Sequence, residues 1–330
     1  MKCLLIDGNS LINRAFYALP VLSTDEGVYT NAVYGFLKMF YKLVEEYTPD
    51  HIVCAFDVKH PTFRHERYAA YKAGRKPMPE ELAPQIPLLK DVLARLGVFC
   101  FSLAGFEADD IVGTYARLAG ENGGEAVILT GDRDAFQLID AHTSVWFTKK
   151  GITDLAKLTP DNLKEHYGVR PDQVVDLKAL MGDSSDNIPG IAGVGEKTAL
   201  TLMEKYGSLD NLLAHADEVP GKLGEKIRAG REDALESRFL ATIVRTVPVA
   251  PLENARYCPP DAETAAELFR KYQFRSLLKD TDAPAPEFRP ETKPFDGFTM
   301  TGDTLGLAWT DKEITVACDE QTQYVLPLSV

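Results

Sequence analysis

The sequence predicts an α/β fold, a parallel sheet flanked by helices, followed by a helical subdomain and a short β tail. Three observations carry that expectation. Short continuous apolar runs alternate with longer amphipathic stretches over residues 1–155. The strand-like runs then give way to helical spacing, and β character returns only near Leu305.

The first apolar run, Lys2-Cys3-Leu4-Leu5-Ile6, ends at Asp7. The second, residues 51–56, ends at Asp57; the third covers 97–101; the fourth, 126–130, leads to Asp132 and Asp134; a fifth covers 144–147. Continuous rather than alternating apolarity predicts helices over both sheet faces. Between the runs, residues 33–47, 82–96 and 109–119 have helical spacing, and Ile111, Val112, Tyr115, Leu118 and Ala119 share one stripe. Pro160 opens one helix, and Pro171-Asp172 opens another running to Leu180-Met181. Gly190-Ile191-Ala192-Gly193-Val194-Gly195 reads as a turn before a helix with Ala199, Leu202, Met203 and Tyr206 on one face. Short helices continue to Leu278. Residues 281–294, rich in Pro, Asp, Glu and Thr, read as a linker. Strands over 305–309, 313–317 and 324–327 are too few to bury a core and are expected to begin another domain, truncated at Val330.

At 330 residues and 45% apolar content the chain has a globular composition. No apolar run approaches the ~20 residues of a membrane span, and the first run reaches Asp7 too soon for a signal peptide. Cys3, Cys54, Cys100, Cys258 and Cys318 lack zinc-site spacing and read as reduced, so a cytoplasmic monomer is expected. The net charge of −13 hides one basic segment. Residues 59–76 hold Lys59, Arg64, Arg67, Lys72, Arg75 and Lys76 against the single acid Glu66. Screening beyond about 10 Å lets such a segment bind phosphates on an acidic protein.

Asp7, Asp57 and the pair Asp132/Asp134 all follow strand ends, where open parallel sheets bind ligands. Singly, each is better read as a turn former or helix cap. Glu107, Asp109 and Asp110 precede or open a helix, and Asp183 and Asp186 sit at i and i+3. Nine converging carboxylates would repel one another unless cations intervened. All-oxygen ligands suit Mg²⁺ or Mn²⁺, and two such ions about 4 Å apart favour phosphodiester hydrolysis. An aspartate-nucleophile phosphatase is disfavoured, because Asp7-Gly8-Asn9 lacks the second aspartate of Asp-x-Asp. The Gly190-to-Ala199 stretch is no phosphate-cradling P-loop, since Glu196 separates Gly195 from Lys197.

These motifs occur in one order: Leu5-Ile6-Asp7-Gly8-Asn9-Ser10, Ala32-Val33-Tyr34-Gly35-Phe36, Phe56-Asp57, Phe63-Arg64-His65-Glu66, Tyr71-Lys72-Ala73-Gly74-Arg75, Glu107-Ala108-Asp109-Asp110, Gly182-Asp183-Ser184-Ser185-Asp186-Asn187 and Gly193-Val194-Gly195-Glu196-Lys197-Thr198-Ala199. Over residues 1–280 the chain resembles the 5′-nuclease domains of bacterial DNA polymerases, relatives of the flap endonucleases. The resemblance implies a PIN-like core (1–155) with a helical arch at about 60–97. A DNA-binding subdomain (156–280) would carry a helix–three-turn–helix element at about 176–206. It implies two-metal 5′-flap endonuclease and 5′–3′ exonuclease activity on DNA flaps, nicks, 5′ ends and RNA primers paired to DNA, in primer removal and repair. Asp7, Asp57, Glu107 and Asp109 would serve one ion, with Asp110 behind them; Asp132, Asp134, Asp183 and Asp186 would serve the other. Arg14, Tyr71, Lys72 and Arg75 would grip the scissile phosphate and 5′ strand, with Tyr71 able to stack on a base. Gly193 and Gly195 would hold duplex DNA together with K⁺. The tail, 295–330, resembles the start of a 3′–5′ exonuclease-like domain, inactive because Phe295-Asp296-Gly297-Phe298 lacks the motif's Glu, and a polymerase domain would follow. The rival reading is a catalytically silent DNA-junction binder.

Overall fold

The computed structural model describes residues 1–151 and 154–279, and four strands beyond them at 291–294, 306–309, 313–317 and 322–327. Residues 1–281 form one compact unit and 282–330 a second.

Unit one begins with β1 (Lys2–Asp7), α1 (Gly8–Ala18), α2 (Asn31–Tyr47) and β2 (His51–Ala55). It continues through α3 (Phe63–Arg67), α4 (Gln85–Arg95), β3 (Phe99–Phe101), α5 (Ala108–Glu121), β4 (Glu125–Thr130), β5 (Thr143–Lys150) and β6 (Asp154–Leu158). The sheet order is β3-β2-β1-β4-β5-β6. The first five strands are parallel, and β6 runs antiparallel to β5. Successive strand residues alternate between two buried clusters. Cys3, Leu5, Val53, Ala55 and Ile128 pack beneath α5 on one face, while Leu4, Ile6, Ile52, Cys54 and Leu129 pack with Phe36, Phe40 and Leu93 on the other. Both faces are covered, as the continuous apolar runs predict.

Two sequence expectations are corrected here. β6 extends strand structure past residue 155, so the expected boundary at 155/156 falls inside a strand of the main sheet. The arch, expected at about 60–97, is helical in α3 and α4 but interrupted between them: residues 68–84 are turns and extended chain. Gly74, Pro77, Pro79 and Pro84 explain this, since glycine and proline weaken or break helix interiors.

The helical part carries α6 (Leu163–Tyr167), α7 (Val174–Met181), α8 (Glu196–Tyr206), α9 (Leu209–Ala214), α10 (Gly221–Ala229), α11 (Arg231–Ala241), α12 (Ala262–Lys271) and α13 (Arg275–Lys279). The Gly-rich turn joins α7 to α8. Gly190 sits at φ +61°, and a Cβ there would lie 2.2 Å from the Gly182 nitrogen, so both its handedness and its closeness demand glycine. Among the described residues no helix is long and apolar enough to cross a membrane.

In the second unit, β7 (Glu291–Pro294), β8 (Gly306–Trp309), β9 (Glu313–Ala317) and β10 (Thr322–Pro327) form a sheet in the order β7-β10-β9-β8. β10 pairs parallel with β7, and the other pairs are antiparallel. β7 lies inside the stretch expected to be linker, making four strands where three were expected. The motif Phe295-Asp296-Gly297-Phe298 and Cys318 lie outside the described residues.

Candidate active site

The strand order reverses between β1 and β4, a topological switch point at which open α/β sheets form their ligand crevice. Asp7 ends β1 there, Asp57 lies two residues beyond β2, and Asp132 lies two beyond β4. Gly8 makes the approach possible: a Cβ would stand 2.5 Å from the Phe56 ring. The resulting cleft, about 1010 Å³, is lined by Asp7, Asp57, Glu107, Asp109, Asp132, Asp134 and Asp183.

The bland reading of these acids as caps is also true. Asp7 Oδ1 accepts from Ser10 N at 3.0 Å and opens α1, while Asp57 Oδ1 accepts from Ala108 N at 2.8 Å at the start of α5. Asp109 Oδ1 accepts from Asp110 N at 2.7 Å, Asp132 Oδ1 from Asp134 N at 2.9 Å, and Asp183 Oδ1 from Ser185 N at 2.7 Å. Each carboxylate uses one oxygen to hold a backbone N–H and still borders the cleft. Asn9, Ser10 and Thr130 brace this rim: Asn9 Oδ1 accepts from Asp57 N, Ser10 Oγ from Gly131 N, and Thr130 Oγ1 donates to Asp7 Oδ2.

Four cations hold the remaining acids. Arg64, 1% exposed, donates twice to Asp110 at 2.8 Å and once to Glu107 at 3.1 Å. It also reaches the Leu240 and Thr242 carbonyls. Asp110 is fully buried, with its oxygens taken up by Arg64, Glu107 N and Val244 N, and does not line the cleft. Lys72 Nζ lies 2.6 Å from Glu107 Oε1, and Arg75 Nη2 lies 2.6 Å from Asp186 Oδ1. Lys72 adopts φ +58°, a left-handed conformation costing a non-glycine residue about 1–3 kcal/mol, and its N–H donates to Asp186 O at 2.9 Å. That strained turn carries Lys72 and Arg75 to the cleft edge. Asp186 is buried and outside the lining.

The fourth cation, Lys178 of α7, was not singled out from the sequence. Its ammonium bridges Asp134 and Asp183, the latter at 2.7 Å. The signal was available: one lysine within the apolar Val174-Val175-Asp176-Leu177-Lys178-Ala179-Leu180-Met181 needs a buried partner.

Electrostatics follow from this arrangement. Burial, with Asp57 and Asp132 close by, raises the Asp7 carboxyl to about 7. Burial likewise raises Asp134 to about 6, Lys178 pulling against Asp132, and it raises Asp109 well above the ordinary carboxylate range. At Asp183 burial opposes the charged form, but Lys178 and Ser185 outweigh it and hold the group down at about 2.

Two expected phosphate-gripping residues sit elsewhere. Arg14 is tied to β5, donating from Nε to Thr148 Oγ1 at 3.2 Å and from Nη2 to the Lys149 carbonyl at 2.9 Å; it does not line the cleft. Tyr71 is 4% exposed, and its hydroxyl donates to Glu107 Oε2 at 3.0 Å. A buried ring packed edge-on against His65 cannot stack on a base, which corrects that expectation. Gly195 caps α8, and the Gly193 carbonyl accepts from Lys226 Nζ at 3.1 Å. Among the described residues no three His, Cys, Asp or Glu side chains converge closely enough to hold an ion as they stand.

A 5′-3′ exonuclease N-terminal resolvase-like domain matches residues 2–168, and a 5′-3′ exonuclease C-terminal SAM fold matches residues 169–263. DNA polymerase I of Bacillus caldotenax is 46% identical over 302 residues, which cover 91% of this chain and 34% of that protein. That of Bacillus subtilis (strain 168) is 45% identical over 280 residues, covering 84% and 32%. The chain thus spans about a third of the length of these relatives. In fold it is similar to T5 D15 protein co-crystallised with metal ions, at 21% identity and TM-score 0.61, covering 86% of this chain and 100% of that one. The catalytic core of Rad2 in complex with DNA substrate gives 17% identity and TM-score 0.55, covering 86% and 92%. A resolvase-like sheet with acids gathered at its switch point, joined to a SAM-type helical subdomain, defines the class as a 5′-nuclease fold. The chain belongs to the 5′-3′ exonuclease family.

Proposed function

We propose that the chain is a structure-specific 5′ nuclease, a 5′-flap endonuclease and 5′–3′ exonuclease acting on DNA and on RNA primers paired to DNA. The observation that carries the reading is the cleft itself: seven of the nine singled-out acids line it, and Lys72 and Arg75 are held at its edge. A binder of phosphates gains nothing from those acids. Their donor set fits hard divalent ions, because buried carboxylates that raise one another's pKa are relieved by a cation. Asp7, Asp57, Glu107 and Asp109 would hold one Mg²⁺ or Mn²⁺, and Asp132, Asp134 and Asp183 a second. Such ions supply Lewis-acid polarisation of a phosphodiester and of water.

Asp110 and Asp186 act as positioning residues, since their oxygens hold Arg64 and Arg75. Lys72 and Arg75 exchange their carboxylate partners for phosphate oxygens as the strand enters, compensating charge that grows on the phosphate. Arg14 steadies β5 beside the rim. Gly193 and Gly195 shape the turn whose following helix, α8, offers backbone N–H groups to duplex phosphate. A K⁺ ion at that turn would share the Gly193 carbonyl with the Lys226 ammonium, which donates to it at 3.1 Å. Primer removal and repair beside a polymerase domain, as a monomer, complete the proposal.

The test is cleavage of 5′-labelled flap DNA by wild type, Asp57→Asn and Asp132→Asn, with binding measured in Ca²⁺. Cutting by wild type alone, with all three bound, supports the nuclease. Equal binding with no cutting by any protein leaves the silent junction binder.

A further inference from the structure

Thr48, Lys72, Asn187 and Gln273 are the non-glycine residues of left-handed φ among the described residues. Two of them, Lys72 at +58° and Asn187 at +57°, lie in segments that dock on one another. Lys72 N donates to the Asp186 carbonyl at 2.9 Å, and Asn187 Nδ2 donates to the Ala70 carbonyl at 2.7 Å. The Asp186 carboxylate takes Arg75 Nη2 at 2.6 Å beside them. Residues 68–75 have only local turns of their own, Tyr71 N to Tyr68 O, Ala73 N to Ala70 O and Arg75 N to Lys72 O. No helix or strand therefore fixes where Lys72 and Arg75 stand. Besides the Lys72 and Tyr71 contacts with Glu107, the docking on residues 186–187 does so.

The other partner is firmly built. Asp183 and Ile188 exchange two backbone hydrogen bonds, Asp183 N to Ile188 O at 2.9 Å and Ile188 N to Asp183 O at 2.8 Å, which closes a loop over 183–188. Just beyond it, Gly190 N donates to Ser237 Oγ of α11 at 2.9 Å and Ile191 N to Leu180 O at 2.8 Å. The base of this loop, Asp183, lines the acid cleft, and its far end leads through the Gly-rich turn into α8.

An ordinary turn asparagine accounts for only part of this. Asparagine tolerates left-handed φ, so the backbone angle alone needs no further reason. A turn asparagine bonds to backbone close by, whereas this amide reaches a carbonyl 117 positions away. Asn187 is also exposed, so no buried donor required a partner. Two left-handed residues on segments bonded to each other mark backbone held by its surroundings, a feature that gathers at functional sites.

We propose that Asn187 is a positioning residue for Lys72 and Arg75. Its amide pins residues 70–75 to the 183–188 loop, so that the two cations and Asp183 keep one geometry across the cleft. The proposal rests on the 5′-nuclease reading, which gives Lys72 and Arg75 their phosphate.

The test uses the full chain with Asn187→Gly, which keeps left-handed φ without strain and removes only the amide. Asn187→Asp keeps the side chain's size but cannot donate to Ala70. Single-turnover cleavage of flap DNA in Mg²⁺ should slow roughly fivefold or more in both variants, the worth of one hydrogen bond, with duplex affinity in Ca²⁺ unchanged. In a Lys72→Ala/Arg75→Ala background, Asn187→Gly should slow cleavage by less than about twofold, because its effect acts through those cations. Tryptic cleavage after the exposed Arg75 should speed up in both variants at an unchanged urea midpoint. The same slowing in the double-alanine background, a matching loss of duplex affinity, or unchanged tryptic rates would overturn the role. If wild type cuts no flap, the nuclease reading fails, and the tryptic rates alone then decide whether Asn187 pins the segment.

Discussion

Replacing Arg64 with methionine tests whether the candidate site is held together from below. The side chain is 1% exposed and donates five hydrogen bonds, three to carboxylates and two to the carbonyls of Leu240 and Thr242. Asp110 has no exposure, so its charge would stay buried with only the Glu107 and Val244 N–H groups to solvate it. Breaking a buried pair from one side costs about 3–5 kcal/mol. That is a large fraction of a domain's typical stability of roughly 5–15 kcal/mol. The expected loss in urea melts is about 3–5 kcal/mol, with a Tm drop on the order of 10 °C. The double variant Arg64→Met/Asp110→Asn removes the stranded charge and recovers at least about 1.5 kcal/mol of that loss. Cleavage at a temperature where Arg64→Met is still folded should also fall, because Glu107, Lys72 and Tyr71 share the network. A loss below about 1 kcal/mol, or a double variant at the sum of the single losses, would refute the reasoning.

Asp7 gives a pH signature. Its folded pKa, about 7, lies above the ordinary 3.8, so the metal-free fold loses up to about 4 kcal/mol of stability as pH rises from about 4 through 7. Thermal melts in EDTA should show that slope in wild type and a flatter one in Asp7→Asn, and Mg²⁺ should raise Tm more at pH 8 than at pH 6; identical slopes would exclude Asp7 as the source. Lys178→Met leaves Asp134 and Asp183 without their bridging ammonium. It should lower metal-free stability by about 1–3 kcal/mol and enlarge the Mg²⁺-induced rise in Tm, read by calorimetry, whereas a smaller rise would mean that Lys178 does not compete with cations. Tyr71→Phe removes the hydroxyl held by Glu107 and should cost about 1–2 kcal/mol while leaving flap affinity in Ca²⁺ unchanged; a clear affinity loss would restore a contact with the strand.

The layout of the sheet is legible in the sequence because continuous apolar runs mark strands buried on both faces, and Asp7, Asp57 and Asp132 mark where they end. β6 escapes the same reading: Asp154-Leu155-Ala156-Lys157-Leu158 is a five-residue edge strand with two exposed positions and no continuous apolar run. Helical spacing marks α4 within the arch, but Gly74 and three prolines set the turns of residues 68–84 that interrupt it. Which acids line the cleft and which hold arginines is not readable from spacing. Asp109 and Asp110 are adjacent, yet only Asp109 borders the cleft, because Arg64, 46 positions earlier, claims its neighbour. Arg64 lies in a basic segment that resembles a solvated charged loop, and its long-range contacts with Glu107, Asp110, Leu240 and Thr242 show it to be buried. Tyr71 likewise stands beside exposed cations and is packed inward.

The most direct test of the central claim is cleavage of a 5′-labelled double-flap DNA in Mg²⁺, run beside Asp183→Asn and an EDTA control. The account predicts that wild type alone releases the intact flap, and that Asp183→Asn binds the same DNA without cutting it. Tight, metal-independent binding with no cleavage by wild type would contradict it.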